Sequence, residues 1–226
     1  MRNQIFAGLV AVLATADAGA VATTFMGFDA GSESLATSPN AVAAASSFDA
    51  ATPTAKIDKF LSPYNPDYTR TLGEFVNTTT CASPCPYNTS DEGVYFLLTR
   101  LGTSVTFSFT SRFVDAFGFS LTGFQQVAGN ELDVRVTYDD RSYGYFDLPL
   151  VGSDRGTLFY GLTDVGRRIA EVSIETSNYI FGLDDFRYRF APEVDPVDPP
   201  PAVPAPPALA LLGGGLLVLI RRRLTS

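Results

Sequence analysis

Apolar and polar residues alternate along the second half of the chain. Segments 105–110 (VTFSFT) and 132–137 (LDVRVT) both place an apolar residue at every second position. Successive side chains of a strand point to opposite faces, so this period predicts strands with one buried face. Further segments with strand-like patterns are 23–28, 57–61, 72–76, 117–121, 143–148, 157–162, 169–176 and 180–190.

Turn-forming residues separate these strands, and one alanine-rich segment interrupts them. The predicted turns are 129–130 (GN), 139–140 (DD), 152–154 (GSD) and 163–164 (TD). Residues 41–51 favour a short helix, with Ser38 or Asn40 placed to cap it. Because no long amphipathic helix lies between the strands, we predict an all-β fold, an antiparallel, jelly-roll-like sandwich with a short N-terminal helix.

The N-terminal residues do not fit the strand pattern. Arg2 is followed by the apolar run 5–13 (IFAGLVAVL), and then by small residues at 18–20 or 20–22. This order is typical of a secretory signal, and the run is too short to span a bilayer. We therefore predict a signal peptide at residues 1–22 and export by the Sec machinery; a buried N-terminal helix is the alternative.

The C-terminal residues also differ from the strand pattern. Proline and acidic residues in 191–202 predict an extended linker. The apolar run 208–220 is shorter than the ~20 residues of an ordinary transmembrane helix, and it is followed by three arginines that would stay on the cytoplasmic side. The predicted parts are a signal at 1–22, a β domain at 23–190, a linker at 191–202, and a short hydrophobic helix with a basic end at 203–226.

Charge and composition exclude several function classes. The chain has a net charge of −8, and removal of the three tail arginines would leave −11. An acidic body repels phosphate backbones, so nucleic acid is not a predicted partner. The absence of histidine excludes Ser-His-Asp and Cys-His nucleophile systems and the usual zinc enzymes. The composition therefore favours a protein that is not an enzyme.

The two cysteines, Cys81 and Cys85, lie in the short segment CASPC. In an oxidising compartment this spacing predicts a local disulfide. A loop this short contributes little to the stability of the whole domain, so the bond would mainly stiffen a surface turn. A redox-active pair is the alternative.

Carboxylates are the candidate metal ligands and the candidate catalytic groups. Asp184 or Asp185 together with Asp29 could hold a structural Ca²⁺, which prefers oxygen ligands; we predict no other cofactor. Solvated acids in turns are the alternative. Two acids across a cleft would instead suit a secreted glycan-active hydrolase, but neighbouring acids such as Asp139 and Asp140 point to opposite faces of a strand.

Tyrosines are the candidate sugar-binding residues. Tyr143 and Tyr145, with Tyr138 and Tyr160, could form an aromatic platform on which a sugar ring stacks. Aromatic side chains of β proteins also pack in the core or pair across strands, which is the alternative.

The tail resembles a known sorting signal. Val203, Pro204, Ala205 and Pro206 are followed by a Leu/Gly-rich run and then by Arg221, Arg222 and Arg223. This order is similar to the PEP-CTERM signal in its VPxPxA-like variant, which exosortases recognise. The resemblance implies an inner-membrane intermediate, cleavage near Pro204–Pro206, and delivery to the cell surface or medium. Ala205 departs from the usual motif, and an ordinary membrane anchor is the alternative.

The body shares two segments with domains common among PEP-CTERM proteins. Segments 114–119 (VDAFGF) and 181–186 (FGLDDF) are similar to recurring strands of those domains. This resemblance implies a jelly-roll sandwich with no established catalytic site. We therefore expect an exported, non-enzymatic surface or matrix protein with exopolysaccharide as candidate ligand; the hydrolase is the alternative.

Overall fold

A computed structural model describes residues 21–31, 37–71, 74–77, 95–98, 104–124, 132–148, 156–176 and 181–193. The chain divides into two units, residues 1–191 and 192–226. The predicted disulfide at Cys81 and Cys85, residues 1–20 of the signal, and the tail at 203–226 lie outside the described residues.

Twelve strands and one helix make up the described part of the chain. They are β1 Val21–Ala30, α1 Pro39–Ala51, β2 Lys56–Asp58, β3 Tyr68–Thr71, β4 Glu74–Asn77, β5 Tyr95–Leu98, β6 Val105–Phe109, β7 Val114–Phe124, β8 Leu132–Tyr138, β9 Tyr143–Asp147, β10 Gly156–Val165, β11 Ile169–Thr176 and β12 Gly182–Phe190.

The strands form two antiparallel layers. The first layer has the order β9-β8-β11-β6-β3. The second has the order β1-β10-β7-β12, with β2 and β5 on the far side of β12 and β4 beyond β5. Pairing of Ile169 in β11 with Val114 in β7 joins the layers. The predicted antiparallel β-sandwich with one short helix is confirmed.

Aromatic side chains fill the space between the layers. Phe107 of β6 stacks on Phe186 of β12 with ring centroids 4.0 Å apart, and Tyr68 of β3 meets both rings edge-on. In β8 the burial alternates, so that Val134 and Val136 point into the core. Burial of these large apolar surfaces is the main stabilising contribution to the sandwich.

Helix α1 covers the outer face of the second layer. Phe48 on its buried side packs against Phe159 of β10 and Phe25 of β1, with centroids 5.8 and 5.6 Å apart. A Cβ atom at Gly161 would lie 2.6 Å from Cδ2 of Phe48. Glycine at this position therefore allows the helix to approach the strand closely.

The two segments that resemble PEP-CTERM domains lie on neighbouring strands. In β7 and β12, Gly118 faces Arg187 and Ser120 faces Asp184. The ladder shifts register between Asp184 and Arg187, and Asp185 has a positive φ of 51°. A β-bulge therefore lies within the second segment.

The cap of α1 differs from the prediction. The helix begins after Ser38, as predicted for one of the two candidates, but Ser38 makes no side-chain capping hydrogen bond. Asp29 at the end of β1 takes that role. Its Oδ2 accepts from the backbone N–H of Ala41 at 2.9 Å, and its Oδ1 accepts from the backbone N–H of Asn40 at 3.3 Å. The sequence around the start of α1 does not reveal this cap, because the capping residue belongs to β1.

The predicted turn at Thr163 and Asp164 is wrong. Both residues belong to β10, and the chain turns after them at Gly166, which has a φ of +96°. The Asp164 carboxylate is buried and accepts a hydrogen bond from the Tyr138 hydroxyl at 2.7 Å. A polar residue usually typical of turns is stabilised inside a strand by this tertiary hydrogen bond.

The predicted strand at 57–61 is shorter than expected. Strand β2 ends at Asp58, because Phe60 adopts a φ of +51° and the chain leaves the sheet. Strands β3 and β5 were not predicted from the sequence. Of the predicted strand at 72–76, the structure describes 74–76 as part of β4. Across the described ranges, no helix is long and apolar enough to cross a membrane.

Replacing Asp29 by alanine tests the cap of α1. We expect a loss of about 1–2 kcal/mol of unfolding free energy, because N–H groups at the start of the helix lose their acceptor. For a domain of this size that lowers the melting temperature by about 2–8 °C. Urea denaturation measures the change. Asp29→Asn, which makes the same change of charge but keeps one side-chain acceptor, is the control and should lose less; an equal loss in both variants would contradict the assignment.

Candidate ligand-binding surface

The register of the first layer arranges its outward side chains in two rows that cross all five strands. We call these side chains the outer face. One row is Tyr143, Thr137, Glu171, Ser108 and Thr69, and the next is Tyr145, Arg135, Ser173, Thr106 and Thr71. The outer face therefore begins at two tyrosines and continues as a band of hydroxyl and charged groups.

The tyrosines point outward because their neighbour points inward. Phe146 of β9 packs against the core, so alternation places Tyr143 and Tyr145 on the other side of the strand. Their exposed fractions are 66% and 51%, and their rings meet edge-to-face with centroids 5.8 Å apart. The structure thus brings together the two residues predicted as a sugar platform.

Arg135 holds the centre of the outer face together. Its Nη2 lies 3.2 Å from Oε1 of Glu171, and its Nε lies 3.2 Å from Oε1 of Glu175. Burial lowers the pKa of Arg135, but the two glutamates and a hydrogen bond with Tyr145 outweigh it and raise that pKa. The guanidinium therefore connects the tyrosines of β9 to the acids of β11.

Hydroxyl groups extend the network toward β3. Ser108 donates to Oε2 of Glu171 at 3.2 Å, and Thr106 and Ser173 share a hydrogen bond of 2.9 Å. Thr69 donates to the backbone oxygen of Ser108 at 3.5 Å. These bonds orient the side chains in the absence of ligand, which lowers the entropy lost on binding.

Tyr138 and Tyr160 do not belong to the outer face. Both are buried, with 4% and 1% of their surface exposed. Tyr138 donates to Asp164, and the Arg167 guanidinium lies 3.3 Å from the centroid of its ring. The interpretation of these tyrosines as core residues is therefore the right one.

The predicted calcium ligands do not come together. Asp29 is on β1 and Asp184 is on β12, with β10 and β7 between them. Three strand spacings correspond to about 14 Å, whereas Ca²⁺ binds oxygen at about 2.3–2.6 Å. Within the part of the chain that the structure describes, no three acids, cysteines or histidines are grouped to hold a metal ion. Asp29 caps α1 instead.

Asp184 and Asp185 are buried, so the alternative interpretation as solvated turn acids is wrong for them. Oδ1 of Asp184 accepts from the backbone N–H of Asp185 at 2.8 Å. Arg187 donates to the backbone oxygen of Asp185 at 3.0 Å and to Asp49 of α1 at 3.1 Å. Asp139 and Asp140 are exposed in the turn after β8, as that interpretation requires.

Glu171 and Glu175 are two carboxylates that share the outer face. A glycosidase needs two carboxyl groups on either side of the scissile bond. Here the Arg135 guanidinium contacts both carboxylates and lies between them. The geometry suits hydrogen bonding to a ligand better than cleavage of one.

The sequence prediction missed Arg135 and Glu171. Each is a single polar residue in an alternating strand, which is typical of any solvent-exposed position. Only the register between β8 and β11 places them beside each other and beside Tyr145. The available signal was the alternation itself, which marks these residues as outward-facing.

No family profile matches the sequence, and no curated protein matches it. Solved structures do match. One is the structure of the CBM22-1–GH10 modules of Clostridium thermocellum xylanase 10B, complexed with xylohexaose. It is 12% identical to this chain, the match covers 60% of this chain and 28% of that chain, and the TM-score is 0.35. This chain thus spans little more than a quarter of that protein.

Two further matches are isolated modules. The CBM22-1 xylan-binding domain of Paenibacillus barcinonensis Xyn10C is 14% identical, with 62% of this chain and 95% of that chain covered and a TM-score of 0.36. A mutant of the family 29 carbohydrate-binding module CBM29-2 is 10% identical, with coverages of 64% and 99% and a TM-score of 0.35.

Buried tyrosines make the stability of the domain sensitive to high pH. Burial, with Asp58 nearby, raises the pKa of Tyr68; burial and hydrogen bonds to carboxylates also raise the pKa of Tyr138 and Tyr188. The folded state keeps these protons longer than the unfolded chain, so the stabilisation is complete below pH about 10 and falls above it.

Replacing Tyr68 by phenylalanine tests this dependence. Each such tyrosine steepens the decline above pH 10 by about 1.4 kcal/mol per pH unit, so the variant should decline less steeply by that amount. Urea denaturation between pH 8 and 11 measures it. Tyr64→Phe, at an exposed tyrosine, is the control; identical slopes for the wild type and Tyr68→Phe would refute the prediction.

Proposed function

We propose that this is an exported, non-enzymatic glycan-binding protein, and that the outer face binds polysaccharide across the strands. The observation that carries the proposal is the pair of exposed tyrosines, Tyr143 and Tyr145, at one end of two rows of hydrogen-bonding side chains, of which Ser173 is buried. This arrangement combines the two contacts that a sugar chain needs.

Sugar rings have apolar C–H faces and polar rims, and the two tyrosines match the apolar part. A tyrosine ring offers a flat apolar surface with a hydroxyl at its edge. Since Tyr143 and Tyr145 meet edge-to-face, they present two orientations to a ligand. A single exposed aromatic residue is unremarkable on a protein surface, but an adjacent pair beside a polar network favours a binding site.

The polar groups of the outer face match the rim of a sugar. Arg135 and Glu171 can make charge-assisted hydrogen bonds with hydroxyl groups, and these are stronger than neutral ones. The hydroxyl of Ser108 can also donate or accept. Across five strands the outer face measures about 19 Å, from four spacings of about 4.8 Å, which accommodates several units of an extended oligosaccharide.

Replacing Tyr143 and Tyr145 together by alanine tests the proposal. We expect the affinity for a glycan to fall about 5- to 150-fold while the melting temperature stays within about 2 °C, because both rings are exposed and each aromatic contact contributes about 0.5–1.5 kcal/mol. A glycan microarray identifies the ligand, and calorimetry with that oligosaccharide measures affinity.

Ile57→Ala, at an exposed apolar residue of β2 in the second layer, is the matched control and should leave the affinity unchanged. Unaltered binding by the double tyrosine variant would exclude the outer face as the glycan-binding surface. Release of shorter products from the bound oligosaccharide would favour the hydrolase.

We further propose that the Sec machinery exports the chain and that an exosortase processes its tail at the inner membrane, before release at the cell surface. The support is the order of Pro204–Pro206, the apolar run and the three arginines. The register of β1 favours one of the two signal cleavage positions. Val21 pairs with Val165 and Ala22 with Asp164, so cleavage after Ala20 leaves the strand whole.

Mass spectrometry of the surface-exposed protein tests this route. We expect a mature N-terminus at Val21, because cleavage after Ala22 would remove two residues from the β1 ladder. Deletion of Arg221, Arg222 and Arg223 should leave a precursor-sized protein in the membrane. The mature protein carrying residues 219–226 intact would contradict exosortase processing. Mature protein beginning at Thr23 would contradict the strand argument.

A further inference from the structure

A pocket of about 230 Å³ lies at the β3 edge of the first layer, and we call it the edge pocket. Within the described ranges, β3 pairs with β6 alone, so its other side is a sheet edge. The residues that line the edge pocket are Asp58, Ser62, Pro63, Tyr64, Asn65, Tyr68, Thr69 and Arg70.

The loop between β2 and β3 forms one wall of the edge pocket and is held by short-range hydrogen bonds. Ser62 Oγ accepts from the backbone N–H of Tyr64 at 3.2 Å, and Asn65 Oδ1 accepts from the backbone N–H of Asp67 at 2.9 Å. The Tyr64 side chain stays 76% exposed. The loop therefore presents an aromatic ring at the mouth of a preformed cavity.

The acid of the edge pocket is already occupied by donors from the protein. Asp58 Oδ2 accepts from the Tyr68 hydroxyl and from Asn65 Nδ2, both at 2.6 Å. Its Oδ1 accepts from the backbone N–H of Phe60 at 2.7 Å. Asp58 thus shapes the edge pocket but has little capacity left for a ligand.

Arg70, the cation of the edge pocket, differs from Asp58 in its contacts. The Arg70 guanidinium lies 5.9 Å from the ring centroid of Phe60 and 5.7 Å from that of Phe75. Burial lowers the pKa of Arg70, and Tyr68 and Asp58 offset part of that shift through their charges. The structure gives the guanidinium no hydrogen bond or ion pair with any described residue. A half-buried guanidinium without a hydrogen-bond acceptor among the described residues favours a ligand that supplies one.

We propose that the edge pocket binds a sugar unit that carries a carboxylate, a uronic acid, with Arg70 as a local positive charge on a chain that is negatively charged as a whole. This inference rests on the proposed function. The carboxylate would accept two parallel hydrogen bonds from Arg70, which is the pairing that guanidinium groups make best. The Tyr64 ring would contact the sugar, and Ser62 would bond a hydroxyl.

Thr69 connects the edge pocket with the outer face. It lines the edge pocket and also ends the row that begins at Tyr143. Arg70 alternates with Thr69 and lies on the inner side of β3, as Tyr68 does, so an oligosaccharide lying along that row would bend round the edge of β3 to reach it. The cavity is smaller than the range of about 300–1,000 Å³ typical of drug-sized ligands, which suits one ring rather than several.

Calorimetry with matched oligosaccharides tests the inference. The probes are oligogalacturonate, oligomannuronate and oligoglucuronate, each beside its carboxyl-reduced, neutral counterpart of the same length. The full mature chain should bind at least one acidic probe at least tenfold more tightly than its neutral counterpart, since the hydrogen bonds to a charged acceptor are lost on reduction.

Arg70→Gln should weaken binding of that acidic probe at least tenfold and leave the neutral counterpart unchanged. Tyr64→Ala, at an exposed position, should weaken both probes and gives a second readout if Arg70→Gln unfolds. Arg112→Gln is the matched control, because Arg112 also lies over an aromatic ring, Phe190, but outside the edge pocket.

The outcomes separate the two proposals. Equal affinity for acidic and neutral probes, with no effect of Arg70→Gln, would overturn the proposal for the edge pocket. Binding that still depends on Tyr143 and Tyr145 would in that case support the outer face as the binding surface. Tight acidic binding that Arg70→Gln and Tyr64→Ala leave unchanged also overturns the edge pocket. Failure of every probe and every microarray glycan to bind overturns the proposed function, and the inference with it.

Discussion

The burial of alternate side chains in the first layer is the constraint on which the rest of the structure depends. Val134 and Val136 must face the core, where aromatic residues such as Phe107 and Phe186 stack. Arg135, which lies between them, must then face outward. Packing of the core therefore positions the polar rows without any contribution from the ligand.

The two layers differ in what covers them, and this difference locates the proposed site. Helix α1 packs through Phe48 on the second layer, and the ion pair of Arg187 with Asp49 adds a polar contact there. On the first layer, Tyr143 and Tyr145 remain exposed. Among the described residues, the second layer is thus covered by a helix, whereas the first layer leaves two aromatic rings exposed.

Local periodicity was enough to predict several elements. Strands β6, β8 and β11 lie where alternation placed them, and Tyr143 and Tyr145 were identified as candidates from the sequence. Features that depend on distant partners were not predictable. The capping role of Asp29 and the buried Asp164 depend on α1 and Tyr138, and the position of Arg70 depends on a loop.

The turn between β8 and β9 links folding to recognition. Arg141 holds a φ of +68° there, and a slip of one residue in the register of β9 would turn Phe146 out to water and both platform tyrosines into the core. A substitution that shifts this turn by one residue would therefore remove the proposed platform by reversing which side of β9 faces outward. The turn of this hairpin thus sets which side chains of β8 and β9 form the outer face.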